Sequence, residues 1–108
     1  MAFKSSFSKI IHEMPKRDYG IPGLHVYVDH TAQATIYYVE TEQELTFPEH
    51  KHAEQFTVVV NGFCELTIDG KSTRYEKGDS YSIPADTLHT IYLSEGYAEI
   101  DYVDDPND

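Results

Sequence analysis

The sequence predicts an all-β domain built as a sandwich or a small barrel. Nine short runs rich in Val, Ile, Thr and Tyr follow one another between residues 24 and 103, as half-buried pleated strands prefer. Breaks that contain Gly, Asn or Asp separate these runs, which is typical of strands joined by hairpins. No long stretch shows the apolar period of a helix, and 108 residues are the length of one domain.

Residues 1–23 are predicted to be an N-terminal extension, and residues 24–108 the barrel domain. "FSKIIHEMP" could form a turn of helix or an added edge strand, and Pro15 would end either one. "DYGIPG" is typical of a turn. The apolar residues of the extension have no obvious place in a minimal barrel. We therefore expect the extension to pack on the barrel or on a partner subunit, in a homodimer.

The barrel domain is divided into strands by its turn residues. The predicted strands, in order, are "LHVYVD", "ATIYYVE", "ELTF", "QFTVVVN", "CELTID", "STRYE", "SYSIP", "HTIYL" and "AEIDYV". "NGF", "DGK", "EKGD" and "SEG" are predicted to be turns between them. In "CELTID", Cys64, Leu66 and Ile68 share one face, which we expect to be core. "QFTVVVN" is apolar on both faces, so we expect the barrel interior to cover one face and another sheet or a second subunit to cover the other.

The charge distribution excludes several classes of partner. The net charge is −11, and all eight Lys and Arg residues lie at or before Lys77. Such an acidic surface repels phosphate groups, so neither nucleic acid nor an anionic membrane is an expected partner. The sequence has no apolar run long enough to span a membrane and no signal-peptide pattern. With Cys64 as the only cysteine, a cytoplasmic protein is expected, and Cys64 is predicted to be a buried packing residue.

Two stretches carry residues suited to metal binding. In "HKHAEQFTVVVNG", His50 and His52 stand two apart, so on a strand their imidazoles would lie on the same face. In "GDSYSIPADTLHTIYL", His89 follows a turn at Pro84 and opens another strand. Three imidazoles that converge inside a barrel would form the start of a metal site. The remaining histidines are expected to be surface or strand residues: His12, His25 and His30.

These two stretches resemble the two signature motifs of the cupin superfamily. The first family motif is H-x-H, a short spacer, a Glu, six residues and a Gly. Six residues before Gly62 this sequence has Gln55 where most cupins carry Glu, and the spacer after the histidines is shorter than usual. The second motif is a Gly, five residues, Pro-x-Gly, two residues and a His. Here Asp86 replaces the second Gly.

The resemblance covers residues from about 34 to 103 and implies a small single-domain bacterial cupin. Such a protein is a double-stranded β-helix, or jelly-roll barrel. It implies one divalent transition metal (Fe, Mn, Ni, Co, Cu or Zn) held by His50, His52, Gln55 and His89. A neutral amide in place of a carboxylate should leave the metal a stronger Lewis acid that is more weakly held. The alternative is a barrel that has kept its fold and lost the metal.

The face pattern also predicts which residues line the pocket. Thr57 and Val59 share the face of Gln55, and Ile91 and Leu93 share the face of His89. No Arg or Lys falls on these inward faces. Neutral, enol-type or aromatic substrates are therefore expected before carboxylates or phosphates.

Two functions follow from this site. The first is a small-molecule enzyme of the oxygenase, isomerase or lyase type. Its candidate acid–base groups are Glu54, which could also be a displaced metal ligand, and the hydroxyls of Tyr37 and Tyr81. The alternative is a non-catalytic module that binds or senses a small molecule.

Overall fold

The computed structural model describes residues 3–108 of the chain. One short helix and nine strands follow one another along it: α1 (Lys9–His12), β1 (Leu24–His30), β2 (Thr35–Thr41), β3 (Leu45–His50), β4 (Gln55–Asn61), β5 (Phe63–Ile68), β6 (Lys71–Glu76), β7 (Ser80–Ile83), β8 (His89–Leu93) and β9 (Ala98–Val103). The all-β prediction is confirmed, and each of the nine predicted strands is present.

The strands form two antiparallel sheets. The five-stranded sheet has the order β1-β2-β9-β4-β7, and the four-stranded sheet has the order β3-β8-β5-β6. Consecutive strands often lie in different sheets, which is the connectivity of a jelly-roll barrel. The barrel interior therefore lies between a wall made by the first sheet and a wall made by the second.

Two turns illustrate why the chain reverses where it does. Asp69 and Gly70 both have positive φ, at 51° and 73°, which is the requirement of a two-residue type I′ hairpin. Gly62 joins β4 to β5 with φ of 72°. A Cβ at Gly62 would lie 2.7 Å from the Ser94 hydroxyl oxygen and 3.2 Å from the Tyr97 Cα, so a larger residue would collide there.

The core consists of two apolar clusters between the sheets. One cluster contains Val59, Cys64, Leu66, Tyr81, Ile83, Ile91, Leu93 and Tyr97, and the other contains Val26, Val28, Tyr37, Val39 and Val103. Cys64 is fully buried, and burial raises its pKa to about 11. The thiol therefore stays protonated at neutral pH and contributes packing, as its place in an apolar strand predicted.

The N-terminal segment packs on the outer face of β1 and β2 of its own chain. The Ser5 hydroxyl donates to the buried Glu40 carboxylate at 2.6 Å, and the Ser6 N–H donates to it at 3.0 Å. The Phe7 ring meets the edge of Tyr38. These contacts explain how the Glu40 carboxyl group can be buried on the outer face of a sheet, because its oxygens accept hydrogen bonds there.

A second part of that outer face is open to solvent in the single chain. Phe56 on β4 and Tyr102 on β9 are direct cross-strand partners, and they are 43% and 46% exposed. We name this surface the Phe56–Tyr102 face. The outward side of β4 therefore has no full cover within residues 3–108. Within the same residues, no helix is long and apolar enough to cross a membrane.

Candidate functional site

Three histidines meet at one end of the barrel interior. His50 ends β3 and is the direct partner of His89, which begins β8, while His52 lies in the loop after β3. A β-bulge between Phe47 and His50 contains Pro48, which a bulge tolerates because no ladder hydrogen bond is needed there. One ring nitrogen from each histidine lies within 4.8 Å of the other two. The three imidazoles could therefore hold a metal ion.

Each of the three imidazoles is oriented by a hydrogen bond to the main chain. Nδ1 of His50 lies 2.8 Å from the Pro48 carbonyl, and Nδ1 of His52 lies 2.7 Å from the Ala53 carbonyl. Nδ1 of His89 lies 2.8 Å from its own neighbouring carbonyl, that of Thr87. A carbonyl accepts only, so each Nδ1 carries a proton, and in the neutral ring Nε2 is then the nitrogen with the lone pair. This donor set fits a divalent transition metal, which binds neutral imidazole nitrogen.

His89 is the most deeply placed of the three, with 2% of its surface exposed. Burial lowers the pKa of His89, and the neighbouring His50 and His52 lower it further. The ring is therefore held in the neutral form that a metal requires, even at a pH where an exposed histidine begins to bind a proton.

The turn before β8 brings the two histidine stretches together. The Asp86 N–H donates to the His52 carbonyl at 2.9 Å, which ties the turn after Pro84 to the loop that carries His52. Asp86 itself has φ of 59°, in the left-handed region. Asp tolerates this region better than most residues, which explains how Asp can stand where the resemblance expects Gly.

The opposite wall of the barrel contributes a directed chain of hydrogen bonds. The Gln55 side-chain amide donates to the Thr57 hydroxyl at 2.7 Å, and that hydroxyl donates to Asp101 Oδ1 at 2.7 Å. All three side chains are buried. Because the amide nitrogen of Gln55 is used in this chain, its carbonyl oxygen remains as the group that can bind a metal or a substrate.

Asp101 and Glu99 form a buried acidic pair on the inward face of β9. They are 7% and 5% exposed, and one carboxylate oxygen of Glu99 has no hydrogen-bond partner within residues 3–108. Burial raises the pKa of Asp101 well above its ordinary range, and the charge of Glu99 raises it further. Asp101 therefore keeps a proton at a pH where an exposed aspartate is ionised. This pair is a proton-holding group on the wall that faces the histidine cluster.

The histidine cluster and the acidic pair open into one cavity of about 440 Å³ between the two sheets. His50, His52, His89, Gln55, Glu99 and Asp101 all line it. Ile91 and Leu93 line it as well, among other apolar residues. Thr57 and Val59 face inward but lie beneath this lining, Thr57 in the hydrogen-bond chain and Val59 in the core. The cavity is therefore lined by many apolar residues, with the histidine cluster on one wall and the acidic pair on the facing wall.

The three candidate acid–base residues from the sequence lie in different places. Glu54 is exposed and does not line the cavity. Tyr81 is buried in the core, where burial raises the pKa of its hydroxyl. Tyr37 lines the cavity. The histidines outside the two motifs lie away from the cluster and make other contacts, His12 with Tyr27, His25 with Glu42 and His30 with Pro106.

A cluster of polar side chains stands at another part of the cavity wall. The Arg17 guanidinium donates to the Tyr37 hydroxyl at 2.7 Å, and that hydroxyl donates to the Asp108 carboxylate. A second guanidinium nitrogen donates to the Asp108 main-chain carbonyl at 3.1 Å. Tyr37 and Asp108 both line the cavity. The inward faces of the predicted strands carry no Arg or Lys, and Arg17 could not be predicted from them because it belongs to the extension.

Comparison with known proteins places this architecture in a family. The Cupin domain family matches residues 36–104. KdgF from Halomonas sp. is 25% identical with a TM-score of 0.73, covering 87% of this chain and 89% of that chain. An RmlC-like cupin from Shewanella frigidimarina is 20% identical with a TM-score of 0.71, covering 87% of this chain and 86% of that chain.

A third similar structure belongs to a longer protein. Oxalate decarboxylase of Bacillus subtilis, a protein with Mn(II) centres, is 17% identical with a TM-score of 0.75, covering 91% of this chain and 29% of that chain. No curated protein matched the sequence. Because the family match spans well over half of the sequence, and the motif residues and the fold agree with it, this chain belongs to the cupin family.

Proposed function

We propose that this cupin is a metal-dependent enzyme that moves a proton on a small oxygen-bearing substrate, as an isomerase or a lyase does. The observation that carries this choice is the placement of two buried carboxyl groups, Glu99 and Asp101, in the same cavity as the histidine cluster. Burying carboxyl groups is costly, and such groups cluster at sites that need a tuned acid or base.

The metal ligands in this proposal are His50, His52, His89 and the carbonyl oxygen of Gln55. The three imidazoles are preset in the tautomer that leaves Nε2 free. A divalent ion bound there would supply Lewis-acid polarisation of a substrate oxygen. Because all four ligand groups are neutral, they leave the full charge of the ion for that purpose.

Asp101 is the proposed proton carrier. It lies on the wall of the five-stranded sheet, opposite the wall from which His50 and His89 project. Its proton is held by burial and by Glu99, and the Thr57 hydroxyl fixes one of its oxygens. A substrate between the two walls can therefore exchange a proton with Asp101 while its oxygen is held at the histidine side.

The size and lining of the cavity limit the substrate. A volume of about 440 Å³ suits a small molecule. The apolar residues around the polar groups exclude water, which strengthens electrostatic interactions inside. We therefore expect a compact substrate with a carbonyl or hydroxyl group at its reacting end.

The proposal is tested by solvent exchange. Metal-loaded protein is incubated in D₂O with a panel of small hydroxy and oxo compounds, and NMR follows deuterium incorporation at carbon. We expect incorporation with the wild type and its loss in Asp101→Asn, which still binds metal. Binding of panel compounds without exchange would favour the sensor function instead. Metal-dependent O₂ uptake without exchange would favour an oxygenase.

We also propose that the protein is a homodimer through the Phe56–Tyr102 face. Phe56 and Tyr102 form an exposed aromatic pair on a sheet that is otherwise covered by the N-terminal segment only over β1 and β2. Large exposed aromatic surfaces are normally covered by a partner. The cavity lies between the two sheets, so a partner on this outer face would not cover it.

A further inference from the structure

The cluster of Arg17, Tyr37 and Asp108 has the form of an occupied carboxylate site. Tyr37 accepts a hydrogen bond from Arg17 and donates one to the Asp108 carboxylate. Burial raises the pKa of Tyr37, so its hydroxyl remains a donor at neutral pH. Tyr37 is thus the direct donor to the side-chain carboxylate, while Arg17 lies behind it and donates to Tyr37 and to the Asp108 main-chain oxygen. Guanidinium and hydroxyl groups are common donors to carboxylates.

The two halves of this cluster differ in how firmly they are held. Tyr37 is buried on β2, and the Arg17 N–H donates to the Val26 carbonyl of β1 at 2.9 Å. The donors are thus fixed to the five-stranded sheet. Asp108, in contrast, is exposed and lies in the segment that follows β9. The carboxylate is the part of the cluster that can leave without disturbing the barrel.

The cavity itself directs a substrate carboxylate toward these donors. The acidic pair of Glu99 and Asp101 occupies the inner wall, and even with the proton on Asp101 the negative charge that the pair retains would repel a second anion there. Arg17 is next to the cavity wall through its contact with Tyr37. A carboxylate on a substrate would therefore be placed at Tyr37, with the reacting end of the molecule toward the histidines.

We propose that Arg17 and Tyr37 form a carboxylate-binding subsite of the cavity, and that the Asp108 side chain occupies this subsite as an internal competitor. The inference rests on the proposed function in one respect, because it names the substrate class as a carboxylate. A substrate would displace Asp108 on entering, and no covalent change is needed. Neutral molecules of similar size would bind more weakly than carboxylates, because they cannot replace the charge of the Asp108 side chain that they displace.

Binding of succinate to metal-free protein tests the subsite, with uncharged succinamide as the matched probe. NMR titration measures the affinity of the wild type, Asp108→Ala and Asp104→Ala. The last variant removes an equal charge from an exposed residue of the same segment. We expect Asp108→Ala to bind succinate at least about fivefold more tightly than Asp104→Ala, because a tethered competitor acts at a high effective concentration. Succinamide should show no such difference.

The donors are tested in the Asp108→Ala background. Adding Arg17→Gln, or Tyr37→Phe, which keeps the ring, should remove the gain in succinate affinity, and thermal unfolding checks that each variant is folded. Equal affinity of Asp108→Ala and Asp104→Ala would overturn the proposal, as would full affinity in folded variants that lack either donor. These measurements use metal-free protein and record only succinate binding. Their outcome therefore does not depend on whether the protein binds metal or uses Asp101 in catalysis.

Discussion

His50 and His89 are direct partners across β3 and β8, and their ring centroids lie 4.2 Å apart. Two like side chains that can both be charged are unfavourable at this distance unless they stay neutral or share a cation. Both Nδ1 atoms lie at hydrogen-bond distance from main-chain carbonyls, which leaves Nε2 as the nitrogen available to a metal, and burial lowers the pKa of His89. The pair is thus prepared for a metal ion before one arrives.

Replacing a histidine of this cluster should abolish metal binding. His89→Ala is expected to weaken the affinity for Zn²⁺ or Mn²⁺ by at least about 100-fold, since even an outer partner of a ligand contributes 10- to 100-fold. His25→Ala is the matched control, because His25 pairs with Glu42 away from the cavity. Isothermal titration measures both. Equal affinity in the two variants would contradict a histidine-held metal.

Gln55→Glu should bind metal more tightly than the wild type and turn over substrate more slowly. A carboxylate adds a negative charge to three neutral ligands, which raises the affinity for a divalent ion. An ionised Glu cannot donate to Thr57 as the amide does, and it brings a further negative charge toward the buried acidic pair of Glu99 and Asp101. Chelator competition measures retention of the metal. Weaker retention than in the wild type would mean that residue 55 does not bind the ion.

Asp101→Asn should stabilise the folded protein at neutral pH while removing proton transfer. The folded state raises the pKa of Asp101, so it holds a proton that the unfolded chain releases above about pH 4. The contribution of Asp101 to stability is therefore present below that pH and is lost as pH rises through the folded pKa.

The gain in unfolding free energy from Asp101→Asn should consequently be larger at pH 7 than at pH 4. Urea unfolding at both values measures it, with exposed Asp104→Asn as the control. A variant that loses stability at pH 7 relative to the wild type would show that the buried carboxyl is a favourable ionic partner rather than a strained acid.

Metal affinity should fall as the pH is lowered from about 7 to 5, because each ligand imidazole must be neutral and free histidine has a pKa of about 6.5. The lowered pKa of His89 keeps that ring neutral over the upper part of this range. In a plot of the logarithm of metal affinity against pH, the slope should therefore be near two protons per metal in the upper part of this range and approach three in the lower part. Titration in buffers of different ionisation enthalpy counts the protons, and an affinity independent of pH would exclude the three-histidine site.

Phe56→Glu should convert the proposed dimer into a monomer. The substitution places a charge in the centre of the Phe56–Tyr102 face, where burial against a second copy would be costly. Thr46→Glu is the control, since Thr46 is exposed on β3 in the other sheet. Light scattering at micromolar concentration distinguishes the two states. A wild-type monomer would exclude the dimer outright.

The strands could be predicted from the sequence because alternation and turn residues act locally. The turn at Asp69 and Gly70 and the buried face of β5 follow from residues that are neighbours in the chain. The histidine positions followed from the resemblance to a known motif. Asp86 agrees with that motif through its positive φ rather than through its identity.

Glu99 and Asp101 could not be found by the same rules, because those rules place charged residues outside. In "AEIDYV" the apolar Ile100 and Tyr102 face outward, and the two acids share the inward face with Val103. Their place became clear only from the register of β9 with β4, which sets Asp101 beside Thr57. The role of Arg17 could not be predicted for a different reason. Its position depends on how the extension folds back along β1.

The orientation of the three imidazoles depends on main-chain carbonyls at Pro48, Ala53 and Thr87, and every amino acid supplies a carbonyl. The tautomers are therefore encoded by the path of the backbone, not by the side chains next to the histidines. Sequence drift at residues 53 and 87 should leave the ligand geometry intact as long as the loops keep their shape. A saturation library at these two positions would then retain metal affinity broadly, so the sequence of these loops can vary while the metal ligands keep their geometry.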